Sequence, residues 1–323
     1  MLPKSKFVLG EDFQTPSYKY LENILGYETA MTFLDGLPAE RVRYFQCENT
    51  RKTSPYLNQL IKTRWEEIKN KSKQAFDAPR ARFEGCAFNQ EDGNLWIFWS
   101  EDRYSTHAAM RDTIVPKPYQ ANLFTINGIP LTKDGKIPVA VRNPMATDQG
   151  RIRHITPAGF IDLKKIGNDL VLENTRDAVI RKFLDEIDLP SPYKMETLHK
   201  ATKRELDEEI EISNESGVDA EKMRLLGIVY NYRKNFDYAA SVLIPMEASS
   251  HNVRLKGKEH EEIGWVNTNL DSLKSTLYEL AIAPETNSGH LRGDIALTIG
   301  HLYGKDCYVK TLEEIVLELS KLK

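Results

Sequence analysis

Apolar residues recur at helical spacing between 56 and 71, where Leu57, Leu60, Ile61, Trp65 and Ile68 fall on one face, and this predicts a helix. Two apolar runs at 82–88 (RFEGCAF) and 94–100 (NLWIFWS) flank a Glu91-Asp92-Gly93 turn and predict paired strands. From 116 to 135 the chain is mostly polar and broken by Pro and Gly, which predicts a passage between two units. Beyond it strands and helices alternate. The pattern predicts strands at 137–142, 153–158, 225–232, 240–246 and 262–266. It predicts helices at 196–212, 270–281, 289–302 and 311–322, the last opened by Thr311 and Glu314 at capping-box spacing. A charged excursion between Gly159 and Glu196 carries a short helix at 176–186. The expected class is α+β, a mixed sheet with helices on its faces. A smaller N-terminal α+β domain is expected at 1–120 and a larger unit at 121–323.

A chain of 323 residues fits two domains at roughly 150 residues each, and it can bury a core without disulfide or metal staples. With 41% hydrophobic and 28% charged residues the composition is that of a globular protein. The formal net charge is −3 and no basic run occurs, which speaks against a nucleic-acid partner. No apolar stretch approaches membrane-spanning length, and the opening residues lack the apolar core of a secretion signal. Cys47, Cys86 and Cys307 stand far apart in no metal-binding spacing, which fits a reducing compartment. The expectation is a cytoplasmic protein with no membrane partner.

The informative segment is 196–212. At 100° per residue Glu205, Glu208 and Glu209 share an arc of about 100°, opposite a solvent face of Lys200, Lys203, Asp207 and Glu211. Leu198, Ala201, Leu206, Ile210 and Ile212 flank the three carboxylates. Like charges crowded on a partly apolar side repel one another unless a cation neutralises them, and hard oxygen donors suit Mg²⁺ or Mn²⁺. The same spacing also fits a solvated surface helix with i,i+4 pairs such as Arg204–Glu208.

Glu196, followed after seven residues by Arg204-Glu205-Leu206-Asp207-Glu208-Glu209, resembles the second half of the Nudix box, G-x5-E-x7-R-E-U-x-E-E-x-G-U. Leu206 and Ile212 supply its two aliphatic positions. Upstream, Thr156-Pro157-Ala158-Gly159-Phe160 resembles the P-x-G that ends the strand before the box, and 259–266 (EHEEIGWV) resembles the acidic loop and Trp-bearing strand after it. Two positions depart from the pattern. Pro190 stands where the first box glycine belongs. If Gly159 takes that part, 36 residues rather than five precede Glu196, an insertion of 31 lying within about 160–194. Glu211 replaces the second glycine, so the helix must end without the usual left-handed cap. A degenerate box with a long insertion, together with Trp65, 76–79 (FDAP) and Tyr104, resembles the subgroup of animal Nudix enzymes that cleave UDP-glucose and UDP-galactose.

The resemblance implies a Nudix α/β/α sandwich with a mixed sheet. It implies metal-dependent hydrolysis of a nucleoside diphosphate conjugate, UDP-glucose or UDP-galactose giving UMP and a sugar 1-phosphate. ADP-ribose or another conjugate is the alternative substrate, and an idle nucleotide-binding domain is the alternative function. Glu205, Glu208 and Glu209 are then the metal ligands for Mg²⁺ or Mn²⁺. Glu196, Arg204 and Gly159 hold the loop and helix. Glu261 and Glu262 are candidates for the general base, competing with a reading as a solvated acidic loop. Tyr232 and Tyr104 are candidate substrate contacts. Tyr230, Tyr232 and Phe236 either stack a base or pack a core. His260 is read as an exposed loop residue, able to touch phosphate but more commonly incidental at such a position.

Overall fold

The computed structural model describes residues 7–9, 16–71, 77–111, 113, 115–143, 152–165, 193–213, 218–231, 237–256 and 260–322. The first third runs β1 (Phe7–Leu9), α1 (Pro16–Leu25), β2 (Glu28–Pro38), β3 (Val42–Gln46), α2 (Pro55–Lys71), β4 (Pro79–Asn89), β5 (Asn94–Arg103) and α3 (Tyr104–Met110). The middle carries β6 (Phe124–Leu131), β7 (Lys136–Arg142), β8 (Arg153–Ile155), β9 (Ala158–Phe160), β10 (Leu163–Lys165), β11 (Tyr193–Met195), α4 (Leu198–Glu209) and β12 (Ile210–Ile212). The rest holds β13 (Arg224–Asn231), β14 (Asp237–Pro245), β15 (Val253–Leu255), β16 (His260–Asn267), α5 (Leu270–Ile282), α6 (Gly289–Tyr303) and α7 (Lys305–Ser320).

The protein is a mixed α+β fold. Its central sheet has the order β2-β13-β14-β6-β9, with β14 and β6 parallel and the other pairs antiparallel. β16-β7-β8 form a second, antiparallel sheet, and β1-β4-β5-β3 a third. β2 comes from the first third of the chain yet borders β13, so the central sheet draws strands from both sides of residue 120. One face of the central sheet contributes Ile126, Ile228, Ala240 and Val242 to a core shared with α4 and with Phe83, Leu95 and Trp99 of the third sheet. The other face sends Ile129, Val229 and Leu243 into a core with α5, α6 and α7. Each fully buried Leu or Ile here contributes roughly 1.5–3 kcal/mol by leaving water. Among the described residues no helix is long and apolar enough to cross a membrane.

Three elements differ from the sequence pattern. The passage expected at 116–135 contains β6, a buried central strand. Its polar side chains are satisfied inside: Asn127 Nδ2 donates to Asp294 at 2.9 Å and Thr125 Oγ1 to the Tyr238 carbonyl at 3.2 Å. The last helix begins at Lys305 rather than Thr311, because Gly304 at φ +86° is the break after α6, and Thr311 is buried within the helix. The carboxylate helix stops at Glu209, where Ile210 turns extended (φ −122°, ψ 133°) and enters β12 paired with β15. That strand takes the place of a glycine cap. The short helix expected at 176–186 lies outside the described residues, as does Pro190.

Candidate functional site

α4 presents one polar edge and one buried face. Leu198, Ala201 and Leu206 are buried in the core, and burial of Glu205 and Glu209 on the same side carries two carboxylates inward. Glu208, although on the adjoining arc, has its side chain 61% exposed. The buried pair rests on the strand end β9. A Cβ on Gly159 would overlap the Glu205 carboxylate, so a larger residue here would push that side chain off the strand. Glu209 accepts from Thr156 Oγ1 at 2.5 Å and from the Ala158 amide at 3.4 Å.

Arg204 ties these pieces together. Its Nε and Nη2 donate to Glu196 at 3.2 and 3.1 Å, Nη1 to Glu205 at 2.5 Å, and Nη2 also to the Phe160 carbonyl at 3.0 Å. Glu208 and Asp162 lie 3.8 Å away. Asp162 also pairs with Arg80. Carboxylates outnumber guanidiniums in this cluster. Burial, first of all, raises the pKa of Glu205, and the charges of Glu208 and Asp162 raise it further against the lowering by Arg204. Another cation here would relieve that repulsion. Glu205 and Glu209 supply hard oxygen donors, the chemistry that Mg²⁺ takes with few carboxylates and several waters. Among the described residues no three His, Cys, Asp or Glu side chains meet as a ready metal cage.

His260 is not an exposed loop residue. It opens β16, is buried, and its Nε2 lies 2.8 Å from His154 Nε2, with the rings stacked at 4.8 Å. His260 Nε2 is also 3.8 Å from Glu209. Burial and then the charge of Arg142 hold His154 well below the usual imidazole range and bring His260 down to about 4, so both are neutral at pH 7. Strand pairing brings the two together: β8 and β16 flank β7. Glu261 and Glu262 follow on the same strand and are solvent-exposed rather than carried on a loop. Tyr104 packs edge-on against Phe160 at 5.6 Å and Trp65 at 6.0 Å, at the tip of β9. Tyr230 is buried, lies 4.6 Å from Tyr238 and donates to Gln120 at 2.5 Å, so it packs the interior. Tyr232 and Phe236 lie outside the described residues.

Beside β9 opens a solvent-facing cleft. Ala158, Gly159 and Phe160 form one wall, and Arg142 and His154 a second. Thr125 and Asn127 of β6, with Asp237, Ser288 and His290 at the start of β14 and α6, also line it, as does His107. Nothing in the sequence pattern marks Asp237, His290 or Asn127, because they are scattered along the chain and only the fold gathers them. No known family model matches the chain, and no curated protein matches it.

Proposed function

We propose that the protein is a metal-dependent hydrolase of a nucleoside diphosphate conjugate, built on a Nudix-like α/β/α sandwich. The preferred substrates are UDP-glucose and UDP-galactose, giving UMP and a sugar 1-phosphate. One observation carries the reading. Two buried carboxylates of the Arg204–Glu209 motif sit against the Ala158–Phe160 strand end, Glu205 held by Arg204 and Glu209 by Thr156, and the same strand end lines the neighbouring cleft. The mixed sheet with helices packed on both faces is compatible with that sandwich.

Glu205, Glu209 and, from its exposed position, Glu208 would hold Mg²⁺ or Mn²⁺. Such an ion supplies charge neutralisation on the diphosphate and lowers the pKa of a bound water. The protein's own residues do the rest. Arg204 fixes the helix against β9 through Glu196 and the Phe160 carbonyl. Thr156 and the Ala158 amide orient Glu209. Arg142 lines the cleft as a cation for phosphoryl oxygens. Glu261 or Glu262 would accept the proton of the attacking water from the β16 side.

A second reading, a nucleotide-binding domain without turnover, draws on the hold that Arg204 already has on Glu205 and on the exposure of Glu208. Metal-dependent turnover of UDP-glucose separates the two, and Glu208→Gln tests the metal set. Its side chain is exposed, so the variant should melt with the wild type while losing metal-dependent hydrolysis of UDP-glucose. Undiminished turnover in that variant would remove Glu208 from the metal set.

A further inference from the structure

Resting on the reading of this cleft as a substrate site, we infer that its Asp237–His290 wall is a subsite for the vicinal diol of a sugar ring. Asp237 begins β14, and its side chain is 7% exposed. Its Oδ1 has no hydrogen-bond partner among the described residues. His290 Nε2 stands 3.6 Å from that oxygen and 3.4 Å from the Asp237 carbonyl. A buried carboxylate oxygen left without a donor is costly unless a ligand supplies one.

The neighbouring groups extend the same preference. Asn127 spends its amide on Asp294, which leaves its carbonyl oxygen as an acceptor. Thr125 spends its hydroxyl proton on the Tyr238 carbonyl, which leaves lone pairs on Oγ1. All these residues line the cleft. A wall of acceptors that includes a carboxylate repels phosphoryl oxygens and attracts hydroxyl donors. A vicinal diol meets both features at once: one hydroxyl donates to Asp237 Oδ1 and its neighbour meets the His290 imidazole. The phosphoryl groups then lie toward Arg142 and the β9 end of the cleft, nearer the carboxylates of α4. Two sources offer this chemistry, the ribose of the nucleotide and the sugar joined to it.

The test is calorimetric titration of the full chain in EDTA, so that no turnover is involved. The probes are ADP against 2′-deoxy-ADP, and UDP-glucose against its 3-deoxyglucose counterpart, whose remaining sugar hydroxyls are no longer adjacent. At least one diol-bearing probe should bind, and its deoxy counterpart about tenfold or more weakly, the range for a hydrogen bond to a charged group. A gap within the first pair puts the ribose in the subsite, and a gap within the second puts the conjugated sugar there. Asp237→Asn, with a wild-type melting temperature, should weaken the preferred probe to a similar degree. Equal affinity within both pairs, no effect of Asp237→Asn in a folded variant, or no binding by any probe would overturn the assignment. Diol-dependent binding without metal-dependent product would sink the hydrolase reading and keep the subsite; product formation without diol dependence would do the reverse.

Discussion

Replacing Arg204 by alanine removes the guanidinium that holds Glu196, Glu205 and the Phe160 carbonyl in one cluster. Glu196 keeps its carboxylate in a side chain only 4% exposed, and Glu205 in one 11% exposed. Losing one partner of a buried ion pair costs about 3–5 kcal/mol, chiefly because a charge is left unpaired. The Arg204 side chain is 25% exposed, so solvent screens part of this, and about 2–3 kcal/mol is expected. Urea unfolding followed by tryptophan fluorescence measures the loss. A double-mutant cycle with Glu196→Gln should return a coupling of about 1 kcal/mol or more, since the residues touch. A loss below about 0.5 kcal/mol, the size of an ordinary surface substitution, would refute the claim that Arg204 locks α4 onto β9.

Gly159→Ala should cost about 1–3 kcal/mol by overpacking, because the new methyl meets the Glu205 carboxylate, and chemical denaturation reads it directly. An unchanged midpoint would mean that the Glu205 carboxylate is free to swing away from β9. Asp294 gives a pH signature. Its full burial beneath Asn127 and Ser241 raises its pKa to about 7, against the lowering by those two donors. The folded state therefore binds this proton more tightly than the unfolded chain does. That contribution is fully present below about pH 4, the ordinary Asp value, and is lost as pH rises to 7. Melting curves of Asp294→Asn and the wild type should thus shift in favour of the variant between pH 4 and 7, and a constant difference would contradict the account.

The helix of 198–209 was legible because its signal is local: carboxylates at i, i+3 and i+4 against an apolar flank. The strands β4, β5, β7 and β13 were legible for the same reason, as short apolar runs between turn residues. β6 was not, since Thr125, Asn127 and Pro130 read as loop until Asp294 and the Tyr238 carbonyl supply their partners. His260 read as exposed because its burial depends on His154, 106 residues away, and on pairing with β7. β2 carries no clean alternation and acquires its place from β13. The acceptor wall of the cleft could not be read at all. Asp237 and His290 are 53 residues apart and meet only because β14 and α6 begin at the same end of the central sheet.

The central claim is tested most directly by hydrolysis of UDP-glucose and ADP-ribose with Mg²⁺ and with EDTA, reading nucleoside monophosphate by chromatography. UMP from UDP-glucose, abolished by EDTA and by Glu208→Gln, is the result expected here. AMP from ADP-ribose instead would keep the carboxylate face of α4 as the catalytic centre and replace the substrate. No metal-dependent monophosphate from either compound would contradict the account.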